Sequence, residues 1–509
     1  MELNLTHHPI CINETVYDGV LEQSVELDYM LPDYYPGIFK VLKCKMTPKL
    51  HAQRVNGNKL ILEGVALAHL LYLSEGDNTL HMLTQKLPFS KTTELKVSCE
   101  NPILSVRSKP GFVNCRVVNP RRLDLRGAVS YDVQVLEQRD EDVISDAEGN
   151  GVQLRKRSFS VCGKRKTASK QFTLREELAV AADKPAPETI LSARSAVSIG
   201  DFKIIANKVV LKGELILHTL YADADGVPHQ MEHSVPVSQI IDMPGVDEED
   251  TCVIRTDVIA AELEPMQTDT GSILNMEMTV CAECEAFRNE TVQLADDAYS
   301  TSFETESVMK TMKAEHLIAC INQTGLVQSS IALSEGEAEE IYDILCDAVS
   351  VNPRFTDGYL MLCGDISAFI LIRNNEGMPQ VVERTFPFEI RTEYQEEDAG
   401  NMIADVCAAV LSSQYTLSGG RVDIKAEIKL SGSIRSTLRL NAVTDLTLDT
   451  QRPKERAHAA ITIYFADKGE AVWEIAKRYG TAVSAILEEN SLDSEILPER
   501  AMLLVPLTD

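Results

Sequence analysis

The sequence predicts a mainly β protein with α+β elements: three tandem antiparallel β-rich repeats followed by a small βααβ module. Three observations predict it. Short runs alternate apolar and polar residues between glycine turns, these runs return at a spacing of about 150 residues, and a pair of helical apolar stripes stands near the C-terminus. A length of 509 residues agrees, since roughly 100–200 residues make a domain.

Each repeat is anchored by an apolar run closing on a glycine: Lys59-Leu60-Ile61-Leu62-Glu63-Gly64, Lys208-Val209-Val210-Leu211-Lys212-Gly213 and Tyr359-Leu360-Met361-Leu362-Cys363-Gly364. A second alternating run follows, then a turn at Gly76, Gly226 or Gly377, the pattern of an antiparallel hairpin. Next comes a proline between apolar neighbours: Leu87-Pro88-Phe89, Val235-Pro236-Val237 and Phe386-Pro387-Phe388. Proline has no amide to donate to a ladder, so these belong at strand ends or sheet edges. A half-solvated strand is expected later in each repeat, at 122–126, 273–277 and 421–425. Upstream of the anchors, residues 38–43, 188–192 and 341–346 are helix-like, the last with the best helical period, and predict one or two short helices per repeat. The repeats are set at 1–157, 158–303 and 335–457, with a linker or helical segment at 304–334 and the last module at 458–509. Residues 183–187 and 140–151 read as exposed loops.

In the last module Val472, Ile475, Ala476 and Tyr479 recur on one helical face, Gly480 can take the left-handed position after it, and Thr481 can cap the next helix. Val483, Ile486 and Leu487 give the second helix its stripe, and Met502–Val505 form the returning strand. Trp473 lies within the helical pattern and is expected to pack in the core rather than stack on a ligand.

A formal charge of -28 argues against binding nucleic acid or anionic lipid, and leaves proteins or neutral ligands as partners. No apolar run is long enough for a membrane span and the N-terminal residues lack a secretory pattern, so a cytoplasmic chain is expected. The 12 cysteines read as reduced core thiols. Cys281 and Cys284 have zinc-knuckle spacing but no second pair, and lie three apart on a strand, facing opposite ways. His7, His8 and Cys11 fall in an N-terminus expected to be floppy. A basic island, Arg155-Lys156-Arg157 with Lys164-Arg165-Lys166, reads as a solvated strand edge or as a dock for an acidic surface. Phosphate-loop, zinc-protease, serine-hydrolase and dinucleotide motifs are absent, so no catalytic residue and no cofactor is predicted.

Three such units with a small tail resemble the SPOCS-domain proteins of spore-forming Firmicutes, in the SipL-like group of spore coat morphogenetic factors. The resemblance is carried by Gly64, Gly213 and Gly364, by the Φ-Pro-Φ triplets and by Gln171–Leu178. From Ile463, through Tyr464-Phe465-Ala466-Asp467-Lys468-Gly469, Trp473-Glu474-Ile475-Ala476 and Leu503-Leu504-Val505-Pro506, the tail is similar to a LysM domain. It departs from that pattern at Gly469-Glu470-Ala471, usually Gly-Asp-Thr, and at Pro498-Glu499-Arg500, usually Pro-Gly-Gln. Both departures fall in loops that flank the sugar groove of glycan-binding LysM domains. The resemblance implies a non-enzymatic scaffold in the mother-cell cytoplasm, docking coat material to the forespore surface. It implies a LysM groove of Lys468, Gly469, Glu470, Asn490, Ser491, Leu492, Glu499 and Arg500 that grips the basal-layer morphogenetic ATPase, with other coat proteins or a second copy as further partners. The alternative is a peptidoglycan or cortex-glycan binder acting through the same module.

Overall fold

A computed structural model describes residues 3–109, 111–269, 271–333, 338–356, 358–392, 394, 402–454 and 461–506. The strands fall into three groups with related pairing orders. The first holds β1 (Asn4–Met30), β2 (Ile38–Ser74), β3 (Leu80–Cys99), β4 (Pro102–Lys109), β5 (Val113–Asn119) and β6 (Arg122–Glu148). Here β6 lies between β1 and the short strands β4 and β5, while β2 pairs β3 in a second sheet. The second group holds β7 (Val152–Cys162), β8 (Lys166–Ala179), β9 (Thr189–Ile205), β10 (Lys208–Ala222), β11 (Pro228–Asp242), β12 (Thr251–Thr268), β13 (Gly271–Phe287) and β14 (Asn289–Ser300). Its sheets run β8-β13-β12 and β9-β10-β11, and β7 pairs β14. The third group holds β15 (Phe303–Ala332), β16 (Glu340–Thr356), β17 (Tyr359–Arg373), β18 (Pro379–Arg391), β19 (Met402–Ser418) and β20 (Arg421–Pro453), ordered β15-β20-β19 and β16-β17-β18. Strand β21 (Ile461–Ala466), helices α1 (Val472–Tyr479) and α2 (Val483–Glu489) and strand β22 (Ala501–Pro506) follow.

Alternation sets which face of each anchor strand is buried. Leu60, Leu62, Ala66 and Ala68 are buried on β2, Val209, Leu211, Leu215 and Leu217 on β10, and Leu360, Leu362, Ile366 and Ala368 on β17. The glycine in the middle of each row has a steric reason. A Cβ at Gly64, Gly213 or Gly364 would stand 2.2, 2.1 or 2.0 Å from the carbonyl oxygen of Lys49, Ser198 or Ser350. Across the other edge, Gly64 pairs Phe89, Gly213 pairs Val237 and Gly364 pairs Phe388, each the residue after the proline. The Phe89 and Phe388 rings lie over their glycines, within 3 Å of where a Cβ would be. The two motifs are therefore one contact, and the prolines sit on the edge strands β3, β11 and β18. They lie inside those strands rather than at their ends.

Helices expected at 38–43, 188–192 and 341–346 are strands. A bulge between Ile341 and Asp343 shifts the alternation by one, so Ile341, Ile344 and Cys346 turn to the core at a spacing that mimics a helix. Residues 304–333 of the expected linker or helical segment belong mostly to β15, which pairs β20 from Phe303↔Pro453 to Ala332↔Arg421; Ser334 lies outside the described residues. Its bulges at Val308/Met309 and Leu317/Ala319 hide its period. The N-terminus expected to be floppy is β1, with His7 opposite Ile144, because β6 continues to Glu148 through most of the expected loop and turns only at Gly149-Asn150-Gly151.

The outer halves of β1 with β6 and of β15 with β20, and the whole of β7 with β14, make three two-stranded stalks. Ile10, Ile12, Val143, Val161, Val292, Leu294, Met312, Ala314, Leu440 and Ala442 form their shared core. The hairpin sheets meet in a second cluster of Leu71, Leu73, Leu80, Leu191, Leu220, Ala222 and Leu371.

A chain of alternating charges links the three groups. Arg107 pairs Asp405, Asp405 pairs Arg255 at 3.1 Å, and Arg255 reaches Glu285 at 3.5 Å. Glu285 pairs Arg165 at 3.1 Å, Arg165 pairs Glu315 at 2.6 Å, and Glu315 pairs Arg435 at 2.8 Å. Asn13 also donates to Glu315 at 3.2 Å, so all three groups meet on this chain. Burial opposes ionisation of Glu315, but Arg165 and Arg435 outweigh it and hold its carboxyl below the usual glutamate value.

Two outcomes follow from this packing. Gly213→Ala forces β9 and β10 apart and lowers stability by about 1–3 kcal/mol, read as a drop in denaturant midpoint without loss of β-sheet circular dichroism. Glu315→Gln leaves Arg165 and Arg435 underpaired and costs about 3–5 kcal/mol near neutral pH. Because the folded pKa of Glu315 is depressed, its contribution is present above the ordinary glutamate value and is lost as pH falls through the folded value. Denaturation midpoints measured across the acid range should therefore converge for wild type and variant.

Candidate interaction site

The C-terminal module is built on the β21–β22 ladder, which runs from Ile461↔Pro506 to Ala466↔Ala501. Helix α1 buries Val472, Trp473, Ile475 and Ala476, and Gly480 takes the left-handed conformation at φ 65° that ends it. Thr481 does not cap α2. Ala482 holds that position, and the Thr481 hydroxyl donates to the Pro506 carbonyl at 2.5 Å, tying the helix junction to β22.

The groove residues fall into two places. Gly469, at φ 84°, donates its amide to Leu497 O at 2.8 Å, and Leu497 N donates to Glu470 O at 3.1 Å, so the loops around 468–471 and 495–500 lie side by side. Glu470 accepts from the Tyr464 hydroxyl at 2.7 Å and from Asp467 N at 3.1 Å. Arg500 pairs Asp467 at 3.2 Å, while Lys468 and Glu499 are exposed. Asn490 is a clamp: its amide donates to Ile486 O and Leu504 O at 2.8 and 2.7 Å and accepts from Leu504 N at 2.7 Å. Ser491 takes a left-handed φ of 52°, and Leu492 packs against the module core.

Sequence reasoning missed the outer face of the hairpin. Leu503 and Val505 point to the helices, yet the opposite face carries Ile461, Ile463, Phe465 and Met502, which are 48%, 58%, 68% and 57% exposed. Phe465 pairs Met502 and Ile463 pairs Leu504, so these side chains form one apolar surface. A solvent-facing sheet surface is ordinarily polar. The signal was present in Ile461-Thr462-Ile463-Tyr464-Phe465, but apolar residues at both parities do not say which face is inward.

The module is seated on the second stalk through Trp473. Its ring meets Tyr299 edge-on at 4.9 Å, and its indole N–H donates to Asp297 at 2.8 Å. Lys477 donates to both Asp297 oxygens at 2.7 and 2.8 Å, Arg155 pairs Glu474 at 3.2 Å, and the Tyr299 hydroxyl donates to Thr481 O at 2.7 Å. Trp473 is thus buried where two parts of the chain meet. Burial raises the cost of charging Asp297, but the bonds from Lys477 and Trp473 outweigh it and hold its carboxyl below the usual range.

The basic island is consumed internally. Arg155 and Arg157 pair Asp296, Lys156 pairs Asp146, Lys166 pairs Asp250, and Arg165 lies in the buried charge chain. Arg165 is buried, while Lys156 and Arg157, though paired, are exposed on β7 as a solvated strand edge is.

A second concavity, a cavity of about 1150 Å³, lies between the three groups, lined by β2 and β4, β9 and β12, and β16 and β19. Several of its charged groups are paired. Lys45 pairs Asp347 at 2.5 Å, Lys49 pairs Asp257 at 2.7 Å and Lys109 pairs Asp132 at 2.6 Å. Lys429 donates to Ile199 O at 3.1 Å and Gln53 donates to Glu283 at 2.5 Å; burial pushes the lysine down and the glutamate up. Among the described residues no group of three metal-ligating side chains converges, and no helix is long and apolar enough to cross a membrane. On β13, Cys284 is buried and Cys281 half-buried.

The Asp297 contact predicts a pH-dependent seat. Its folded pKa is depressed, so the contact is intact above the ordinary aspartate value of 3.8 and is lost as pH falls through the folded value. Trp473, the single tryptophan, should report this as a red shift in emission at acid pH. Asp297→Ala should give the same shift at neutral pH and cost about 1–3 kcal/mol of module stability.

A family model described as "SipL, SPOCS domain" matches residues 37–118 and 187–265, together about a third of the chain. These stretches cover β2 to most of β5 and β9 to most of β12. No curated protein and no solved structure matches the chain.

Proposed function

We propose that this chain is a non-enzymatic assembly protein of the spore coat, with a C-terminal LysM-type module that binds a protein. The two SPOCS-domain matches support the coat role. The related strand orders and the equivalent glycine contacts support a reading of the three groups as copies of one duplicated unit. The strand-helix-helix-strand order, the Gly480 stop and the buried Trp473 support the LysM reading.

The observation that favours a protein over a glycan is the apolar face of Ile461, Ile463, Phe465 and Met502. Exposed apolar side chains joined in one surface mark protein contacts. Glu470, Asn490 and Arg500, the polar groups a sugar would need, are engaged by Tyr464, Leu504 and Asp467. By family resemblance the partner is the basal-layer morphogenetic ATPase, met in the mother-cell cytoplasm at the forespore surface, with other coat proteins or a second copy as further contacts.

Phe465→Asp should leave folding stability within about 0.5 kcal/mol, since the ring is exposed. It should weaken capture of the coat ATPase by at least about tenfold, equivalent to about 1.4 kcal/mol. Retention of the full chain on purified peptidoglycan, unaffected by that substitution, would favour the glycan alternative instead. In sporulating cells a fluorescent fusion should ring the forespore, and removal of 458–509 should disperse it.

A further inference from the structure

In the first group, β2 passes over the edge of the sheet that contains β5. Cα atoms of the two strands approach within 8 Å. The alignment can be followed along the face. Val113 and Cys115 on β5 lie opposite Gly127 and Leu125 on β6, two residues apart and on one side of the sheet. The Met46 methyl lies 3.3 Å from the Cβ position of Gly127, and Val113 Cα is equally close. Two residues back along β2, on the same face as Met46, is Cys44. Further back, Ile38 N donates to Pro120 O at 2.7 Å, so β2 runs from Val113 towards Pro120 and carries Cys44 over Cys115; the two side chains pack against the same core cluster. The two thiols interact, each shifting the acidity of the other.

We propose that Cys44 and Cys115 form a reversible disulfide, closed by exchange with a small-molecule disulfide. The Cys115 thiolate attacks one sulphur of the small molecule, forming a mixed disulfide and releasing one thiolate. The Cys44 thiol then loses its proton to solvent and attacks Cys115, forming the bridge and releasing the second thiolate. Two cysteine thiols are oxidised and one small disulfide is reduced to two thiols, so atoms and electrons balance. The closed bridge ties β2 to β5 and so joins the two sheets of the first group.

The order of attack follows from the contact. The neighbouring Cys44 pushes the Cys115 thiol down, while Cys115 and burial push Cys44 up, so Cys115 is the readier thiolate. Both residues are only half-buried, and β5 is a short strand paired on one side by β6. Other close thiols differ in this respect. Cys252 and Cys284 are buried together in the second core and burial pushes both up, to about 11 and about 12. The proposal does not depend on what the C-terminal module binds.

The test uses the full folded chain incubated with oxidised glutathione, then alkylated, digested and analysed by mass spectrometry. The expected result is a linked peptide pair joining Cys44 to Cys115, with a mass loss of about 2 Da for the bridge, reopened by reductant. Under the same treatment Cys44→Ser should leave glutathione on Cys115, and Cys115→Ser should leave Cys44 unmodified. Circular dichroism of each variant checks that it is folded; the wild-type map stands without them. Alkylation of both Cys44 and Cys115 after the incubation, or their linkage to other cysteines, would overturn the proposal. A glutathione adduct on Cys115 in wild type that never resolves to the bridge would also overturn it.

Discussion

Arg165 leaves the strand line between β7 and β8 and carries its side chain to 3% exposure between Glu285 and Glu315. Removing such a charge from water costs several kcal/mol, and only complete pairing repays it. Completion takes residues from all three strand groups, since Arg107 comes from the first, Arg255 and Glu285 from the second, and Asp405, Glu315 and Arg435 from the third. Apolar contact alone would leave an ambiguity, because the three groups present similar strands in related orders and would cohere in more than one arrangement. The charge chain has no such symmetry. Its charges find opposite charges when these particular strands meet, and a wrong neighbour would bury an unpaired guanidinium.

How much of this was legible depended on whether local pattern and strand geometry agreed. The anchor glycines and the Φ-Pro-Φ triplets could be read because each side of the contact leaves its own mark: no room for a Cβ on one strand, no need for an amide on the edge strand beside it. Bulges removed that agreement. At Ile341/Asp343 one extra residue turned a period of two into an apparent helical spacing, and the bulges of β15 made a 30-residue strand read as a linker. The stalks were invisible for another reason. Their outer faces carry residues such as Glu304, Glu306 and Lys310, so β15 reads as polar until its partner β20 is known.

In the C-terminal module the helical stripe, Gly480 and the returning strand were read from the sequence, because a helix core imposes a strict period. The groove was not. Residues 468–470 and 499–500 lie in adjoining loops, and Asn490 is bonded to β22. Nor did the sequence show that Trp473 faces a second part of the chain, since the partner residues Asp297 and Tyr299 lie more than 170 positions away. Seating Trp473 on the stalk fixes which surfaces remain open. The helix face is used internally, and the outer hairpin face is left to solvent.

The charge of the chain then bears on what can cover that face. Between 461 and 506 eight acids stand against four bases. Two copies meeting through their own hairpin faces would bring like charges to the rim, which opposes the contact at low salt. A partner with an apolar centre and a basic rim meets no such barrier. Apolar burial would supply the affinity, and the acidic surround would select the partner and speed its approach.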